Sequence, residues 1–267
     1  MDADSLHLLS DSLRTTMTTA SGAGLAAALN DLGWRDMLEE VPEWAIPLVF
    51  RLLGETGAHA PLLNDVVLRA AGATTGGTRP LPFTGGSWVL WAHGDVAGSS
   101  LDGDLPIHAV PQGEPLPTAA LAAGRRALGW WLVGASRAML SLARQHAVDR
   151  VQFGRRIGSF QAVRHRLAET LVAIEGAEAT LEVAGAEPDD GLASLLAKAA
   201  AGQAALTAAR HCQQVLGGIG FTAEHRLHRH VKRSLVLDGL LGSTRDLTRE
   251  AGRTLHVKGF APRVAQL

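Results

Sequence analysis

Arg150-Val-Gln-Phe153-Gly154-Arg155-Arg156-Ile157-Gly-Ser-Phe160-Gln161 is a polar, glycine-bearing break between two long segments whose apolar residues recur at helical spacing. Upstream of it, Leu128, Leu132, Ala135, Met139 and Leu142 recur at intervals of four and three, which predicts one apolar seam on a long helix. Downstream, Phe160, Val163, Leu167, Leu171, Ile174 and Leu181 predict a second helix, and Glu187-Pro188-Asp189-Asp190 then reads as a turn with an N-cap. A third seam runs through Leu192, Leu195, Ala199, Gly202, Leu206, Ala209 and Leu216, and its small residues permit close helix contact. It closes on a second break, Gln214-Val-Leu-Gly217-Gly218-Ile-Gly220-Phe221. Residues 223–255 predict one or two more helices, interrupted near Gly239 and Gly242, and short connections make antiparallel packing the default. Both breaks carry anion donors, amide side chains and bare backbone, a composition suited to holding a phosphate.

Outward from this bundle, residues 78–117 change character. Six of the eleven prolines fall at positions 80, 82, 106, 111, 115 and 117, and Ser87-Trp-Val-Leu-Trp91-Ala reads as a strand. Residues 4–72 read as helices in pieces, with Leu6, Leu9 and Leu13 on one face and Leu25, Ala28, Leu29 and Leu32 on another that stops at Gly33. Trp34–Glu43 reads as an acidic amphipathic turn, Pro47 as the residue that opens a helix over Leu48–Gly54, and Leu62–Ala71 as the last helix of this part. Gly22-Ala-Gly24 follows no strand, which argues against a dinucleotide fingerprint there. The expected fold is mainly α, divided into an N-terminal helical domain at 1–73, a reduced β-rich or irregular segment at 74–117, a C-terminal four-helix bundle at 118–257 and a tail at 258–267.

Composition narrows the function. Of 267 residues, 46% are hydrophobic, no run reads as long enough to cross a bilayer, and the Met1-Asp-Ala-Asp start lacks a signal peptide's basic and apolar regions. The chain is expected to be cytoplasmic. Cys212 is the single cysteine, expected to be a buried hydrophobe. Residues 1–117 hold five Lys or Arg against fourteen Asp or Glu, a charge of −9, while residues 118–267 hold twenty against twelve, a charge of +8. No recognition helix, zinc finger or stacking motif accompanies the basic half, so cofactor or CoA phosphates suit it better than nucleic acid. His225, His228 and His230 fall on different faces of a helix, so no metal site is expected. There is no Gly-x-Ser-x-Gly elbow or Walker A loop, and the six tryptophans read as core or interface anchors.

Taken in order, Arg-x-x-Phe-Gly-x-x-Ile-x-x-Phe-Gln at 150–161 and Gln-x-x-Gly-Gly-x-Gly-Phe-Thr at 214–222 resemble the C-terminal domain of the acyl-CoA dehydrogenases. The likeness extends from roughly Leu121 to Leu255, about half of the chain, and takes in Glu224 and Arg233, while residues 29–72 are weakly similar to that family's N-terminal helical domain. The resemblance implies an FAD shared across a subunit interface, with Arg150 and Gln214 gripping the pyrophosphate and adenine side of a flavin held by the neighbour. It implies further that Phe153 packs near the adenine and that Gly217, Gly218 and Gly220 let backbone amides approach closely. The competing readings are an ion pair of Arg150 with Asp149 or Glu169, and a plain helix C-cap for the glycines.

Two departures from the family pattern shape the functional expectation. Members take a proton alpha to the thioester carbonyl with a glutamate; at its usual turn stands Leu241, within Leu240-Leu241-Gly242-Ser243-Thr244, and the alternative position, at about Gly124, is empty too. Asp238 is the nearest carboxylate, and Arg125 lies near a position from which some members contact substrate. The middle segment is also shorter than the family's flavin-shielding β domain. The resemblance therefore implies a non-catalytic or half-site subunit of an FAD-dependent acyl-CoA dehydrogenase, active only with a full-length partner as a heterotetramer of two of each. The acyl-CoA, possibly a steroid side-chain thioester, would then bind mainly on the partner. The alternative is a flavin-free structural or regulatory helical protein that keeps the fold.

Overall fold

The structure is a computed structural model that describes residues 3–92 and 105–260. Residues 93–104 of the expected middle segment and 261–267 of the expected tail lie outside the described residues.

Five helices come first: α1 (Ala3–Thr19), α2 (Gly22–Asp31), α3 (Trp34–Glu40), α4 (Pro42–Thr56) and α5 (Leu62–Ala70). Proline placement explains one difference from the sequence reading. Pro42, not Pro47, opens α4, because the first helical N–H has no intrahelical acceptor and its loss costs nothing. Pro47 lies inside the helix, which continues because Ala45, Val49, Phe50, Leu52 and Leu53 bury its face in the core.

A three-stranded antiparallel sheet follows, β1 (Pro80–Phe83), β2 (Ser87–Trp91) and β3 (Ile107–Val110), in the order β1-β2-β3. Only the central strand is evident from sequence. Pro80 and Pro82 belong to an edge strand, where a missing N–H faces no ladder partner. Leu81, Val89, Trp91 and Ile107 are buried against the helices.

The remaining helices are α6 (Thr118–Asp149), α7 (Gln161–Ala186), α8 (Gly191–Leu216), α9 (Leu227–Gly239) and α10 (Thr244–Lys258). Asp190 caps α8 as its sequence position predicts, its carboxylate accepting from Leu192 N at 2.8 Å and Ala193 N at 3.1 Å. By length and composition, Gly191–Phe221 would suffice to span a membrane, contrary to the sequence reading. It is mostly buried within the protein and packs against α6, α7, α9 and α10, so its alanines serve helix contact inside the bundle. The seam expected on α7 is also narrower than read: Ile174 and Leu181 are buried, but Leu171 is turned outward and 43% exposed.

One apolar core joins these parts, running from Leu13 in α1 through the sheet to Leu241. At its centre four rings form a chain across three layers. Trp34 meets Phe50 at 6.0 Å, Phe50 meets Trp131 edge-on at 5.6 Å, and Trp131 stacks on Trp91 of β2 at 5.4 Å. Beside them α4 and α6 touch backbone to backbone: a methyl group added at Gly54 would fall 2.3 Å from the Trp131 carbonyl oxygen.

Candidate functional site

The first break resolves into a tight hairpin. Val151 pairs with Arg156 and Gln152 with Arg155, forming β4 (Val151–Gln152) and β5 (Arg155–Arg156) and leaving Phe153-Gly154 as a two-residue turn. Both turn residues have positive φ, +54° and +75°, the signature of a type I′ turn. Glycine takes that conformation freely. Phe153 does not, and its ring is 90% exposed at the tip. Phe160 anchors the base of the hairpin, with Phe153 edge-on at 6.1 Å and the Arg155 guanidinium 4.1 Å above its ring centre.

Arg150 caps the C-terminus of α6, its carbonyl accepting from Ile157 N at 2.9 Å, and its side chain is exposed. No hydrogen bond or ion pair joins it to Asp149 or Glu169 among the described residues. Asp149 accepts from Gln145 at 2.7 Å, and Glu169 lies 3.9 Å from His211. Beside Arg150, the His146 imidazole titrates below its ordinary range, through burial first and then the charges of Arg150 and His225. Thus the end of α6 and the loop after the second break lie within electrostatic reach of each other.

The second break ends α8. Gly217 is its C-cap at φ +66° and ψ −143°, and residues Gly217–Phe221 wind into a 3-10 turn. So the C-cap reading of the glycines is correct for Gly217, yet it leaves backbone open: nothing lies within 4 Å of a methyl group placed at Gly217 or Gly218. Gly220 differs: a methyl group placed there would fall 2.8 Å from the Gln213 carbonyl oxygen. Gln214 is exposed. A satellite core of Met139, Ala143, Ala147, Ala208, Cys212, Val215, Leu216 and Leu227, with Ile157 and Val163 against it, ties the ends of α6 and α8 to the starts of α7 and α9. Both breaks therefore lie at the same end of the bundle. Cys212 is buried there, its thiol pushed up to about 12 by desolvation.

Leu241 and Gly124, far apart in sequence, are in contact. Leu241 is 1% exposed at φ +55°, and its Cδ1 would fall 2.5 Å from a methyl group placed at Gly124, with Val67 beside it. Leu241 N donates to the Pro82 carbonyl at 2.8 Å, and Arg125 Nε donates to the Leu241 carbonyl at 3.1 Å. The rest of the Arg125 guanidinium reaches Glu250 at 3.4 Å, and burial lowers its pKa. Asp238 is occupied as well, accepting from Thr244 N at 3.1 Å and Thr244 Oγ1 at 2.6 Å.

Sequence reasoning missed Lys198. It is fully buried on α8, donates to the carbonyls of Asp238 and Gly242, and sits 3.8 Å from the Asp238 carboxylate. Burial brings its pKa down to about 8, partly offset by Asp238. A lone lysine inside the run Leu195-Leu-Ala-Lys198-Ala-Ala-Ala-Gly202 is the signal that could have revealed it. The histidines have separate local roles. His225 Nδ1 accepts from Leu227 N at 3.1 Å, His228 Nδ1 lies 2.8 Å from the His225 carbonyl, and buried His230 packs on Gly57. Glu224 is exposed, and Arg233 is buried with Nη1 donating to the Gly57 and Ala58 carbonyls at 3.2 and 3.3 Å.

Residues 112–254 match the acyl-CoA dehydrogenase C-terminal domain family. Acyl-CoA dehydrogenase IpdE2 of Mycobacterium tuberculosis is 42% identical over 117 residues, which is 44% of this chain and 36% of that protein. The match thus spans about a third of that relative. Among solved structures, the Tcur3481-Tcur3483 steroid ACAD superposes with TM-score 0.72 at 20% identity, over 96% of this chain and 99% of that one. The ChsE4-ChsE5 complex from Mycobacterium tuberculosis gives 0.66 at 20% identity, over 98% and 99%. At such identities the superpositions establish a shared fold. With both breaks in family order on that fold and the family match covering residues 112–254, this chain belongs to the acyl-CoA dehydrogenase family.

Proposed function

We propose that the chain is a subunit of an FAD-dependent acyl-CoA dehydrogenase complex and completes the flavin site of a full-length partner, which supplies the catalytic base. One observation carries this reading: the donors of both sequence breaks are exposed at a single end of the bundle. The donor set fits a dinucleotide's phosphates and adenine. The Arg150 guanidinium is a charged fork for phosphate oxygens, Gln214 an amide donor, and the open Gly217-Gly218 backbone lets a phosphate come close. The exposed Phe153 ring offers adenine an apolar edge. When bound, the flavin would accept hydride from the beta carbon of the thioester.

The same reading accounts for Leu241 and Gly124. A proton acceptor is absent from both positions, and hydrocarbon fills the space between them. A partner of the kind suggested by the names of the two superposed complexes, each a pair of chains, would then hold the acyl-CoA. A steroid side-chain thioester is the substrate class we assign.

Co-expression with the partner dehydrogenase tests the proposal. A yellow complex with one flavin per heterodimer is expected, and Arg150→Ala should raise the flavin dissociation constant about tenfold or more and so lower occupancy, since a charge-assisted contact contributes roughly 1.5–3 kcal/mol. A colourless assembly of this chain would instead favour the flavin-free scaffold, and unchanged occupancy in Arg150→Ala would leave the arginine an architectural role only.

A further inference from the structure

Arg155 carries a charge that the hairpin itself does not use. Its guanidinium lies over the Phe160 ring, 4.1 Å from the ring centre, and its side chain is otherwise exposed. Among the described residues no hydrogen bond or ion pair joins that side chain to a carboxylate or a carbonyl. An apolar stem alone would cover Phe160, so the five N–H donors of the guanidinium are surplus to the local packing. Contact with the ring also holds the fork in place before any ligand arrives.

Register sets the side on which these donors stand. Gln152 and Arg155 are directly opposed in the hairpin, so their side chains leave the ribbon together. Arg150 continues the ladder: it is extended, at φ −74° and ψ 125°, and its carbonyl accepts from Ile157 N at 2.9 Å. Lying two residues before Gln152, it leaves on the same side. Val151 and Arg156, the other opposed pair, leave on the reverse side. One side of the hairpin thus carries the guanidiniums of Arg150 and Arg155 with the Gln152 amide between them. A pyrophosphate diester bears one negative charge on each phosphate, and Arg150 answers only one of them.

We propose that Arg155 is a second phosphate ligand and makes this site selective for a flavin dinucleotide over a flavin mononucleotide. Beside Phe153 at the tip, Arg155 takes the phosphate on the adenosine side, while Arg150, at the base of the hairpin against α6, takes the other. FMN ends at its single phosphate and does not reach the tip. Because Phe160 already orders the Arg155 fork, little side-chain freedom is lost on binding. The inference rests on the flavin reading above and adds to it a residue and a selectivity.

Titration of FAD and of FMN into the flavin-stripped complex with the partner dehydrogenase, followed by flavin absorbance and fluorescence, tests it. Arg155→Ala should raise the FAD dissociation constant about tenfold or more and leave that of FMN within about twofold. Arg155→Lys keeps the charge but not the planar fork, and should recover part of the loss. Arg156→Ala removes the same charge from the reverse side, where solvent screens it, and should leave both constants within about twofold. Equal weakening of FAD and FMN in Arg155→Ala would overturn the proposal in favour of a purely structural role. An equal loss in Arg156→Ala would overturn it in favour of unspecific charge. If Arg150→Ala weakens FAD and Arg155→Ala does not, the flavin reading stands and the role of Arg155 falls; if the wild-type complex takes up no FAD, both fall.

Discussion

Leu241 holds a backbone conformation that leucine rarely adopts, and it does so because its neighbours fix it from three sides. Its N–H binds Pro82, its carbonyl binds Arg125, and its side chain fills the space over Gly124. Truncation in Leu241→Ala should cost about 2–5 kcal/mol. In Gly124→Ala the gain in helix propensity, about 1 kcal/mol, is outweighed by overpacking of about 1–3 kcal/mol. The double variant should cost less than the sum of the two by roughly 1 kcal/mol or more, since each change relieves the other; urea unfolding of the four proteins gives the coupling, and strict additivity would show that the two residues do not touch. Lys198, which pins the same turn, gives a pH signature. Its folded pKa of about 8 lies below the ordinary 10.5, so between these values the unfolded chain binds more protons and stability rises with pH. Below about pH 8 the buried charge costs roughly 3 kcal/mol, and above about 10.5 that cost is gone. The stability difference between wild type and Lys198→Met should therefore shift in favour of wild type between pH 8 and 10.5. A difference flat across that window would mean that Lys198 titrates normally. Only part of this is legible in sequence: the Leu241 substitution reads as the loss of a base and Lys198 as a lone charge in an apolar run, but the contact of Leu241 with Gly124 is made only when the turn before α10 folds over α6.

The hairpin at residues 151–156 shows the limit of reading elements from pattern. Its strands are two residues long and exposed, so no apolar alternation announces them, and the stretch reads as a loop. The long helices α6, α7 and α8, by contrast, are legible because each carries many seam residues, and the acidic N-cap at Asp190 marks a boundary. Phe153-Gly154 stands where a type I′ turn favours Asn-Gly. Left-handed backbone costs a bulky residue about 1–2 kcal/mol, and a ring 90% exposed, touching the fold only edge-on at Phe160, returns little of it. Phe153→Asn should accordingly stabilise the isolated chain by up to about 1 kcal/mol, while lowering flavin occupancy in the complex. Thermal unfolding and absorbance of the purified complex check the two halves of the expectation. A variant that is neither more stable nor poorer in flavin would show that strain and ligand contact are not linked at this tip.

Across the whole molecule, cohesion depends on how the N-terminal helices are joined to the bundle. The four-ring chain from Trp34 to Trp91 supplies apolar contact, but the closest approach is between Gly54 of α4 and Gly134 of α6, where an added methyl at Gly134 would fall 2.1 Å from the Arg51 carbonyl oxygen. In sequence these glycines read as weak helix formers, and α4 as ending at Gly54, because nothing local reveals that another helix backbone lies against them. Backbone cannot rotate aside as a side chain can, so either helix must move. In Gly54→Ala the propensity gain of about 1 kcal/mol is set against a clash of about 3 kcal/mol or more, and the helix-to-helix contact loses. Native-state hydrogen exchange should then show α1–α5 losing protection at lower free energy than α6–α8, whereas in the wild-type chain, with its common core, both parts are expected to open together. Equal protection of the two parts in the variant would mean that the ring chain alone joins them, and that the glycine contact is a convenience of packing.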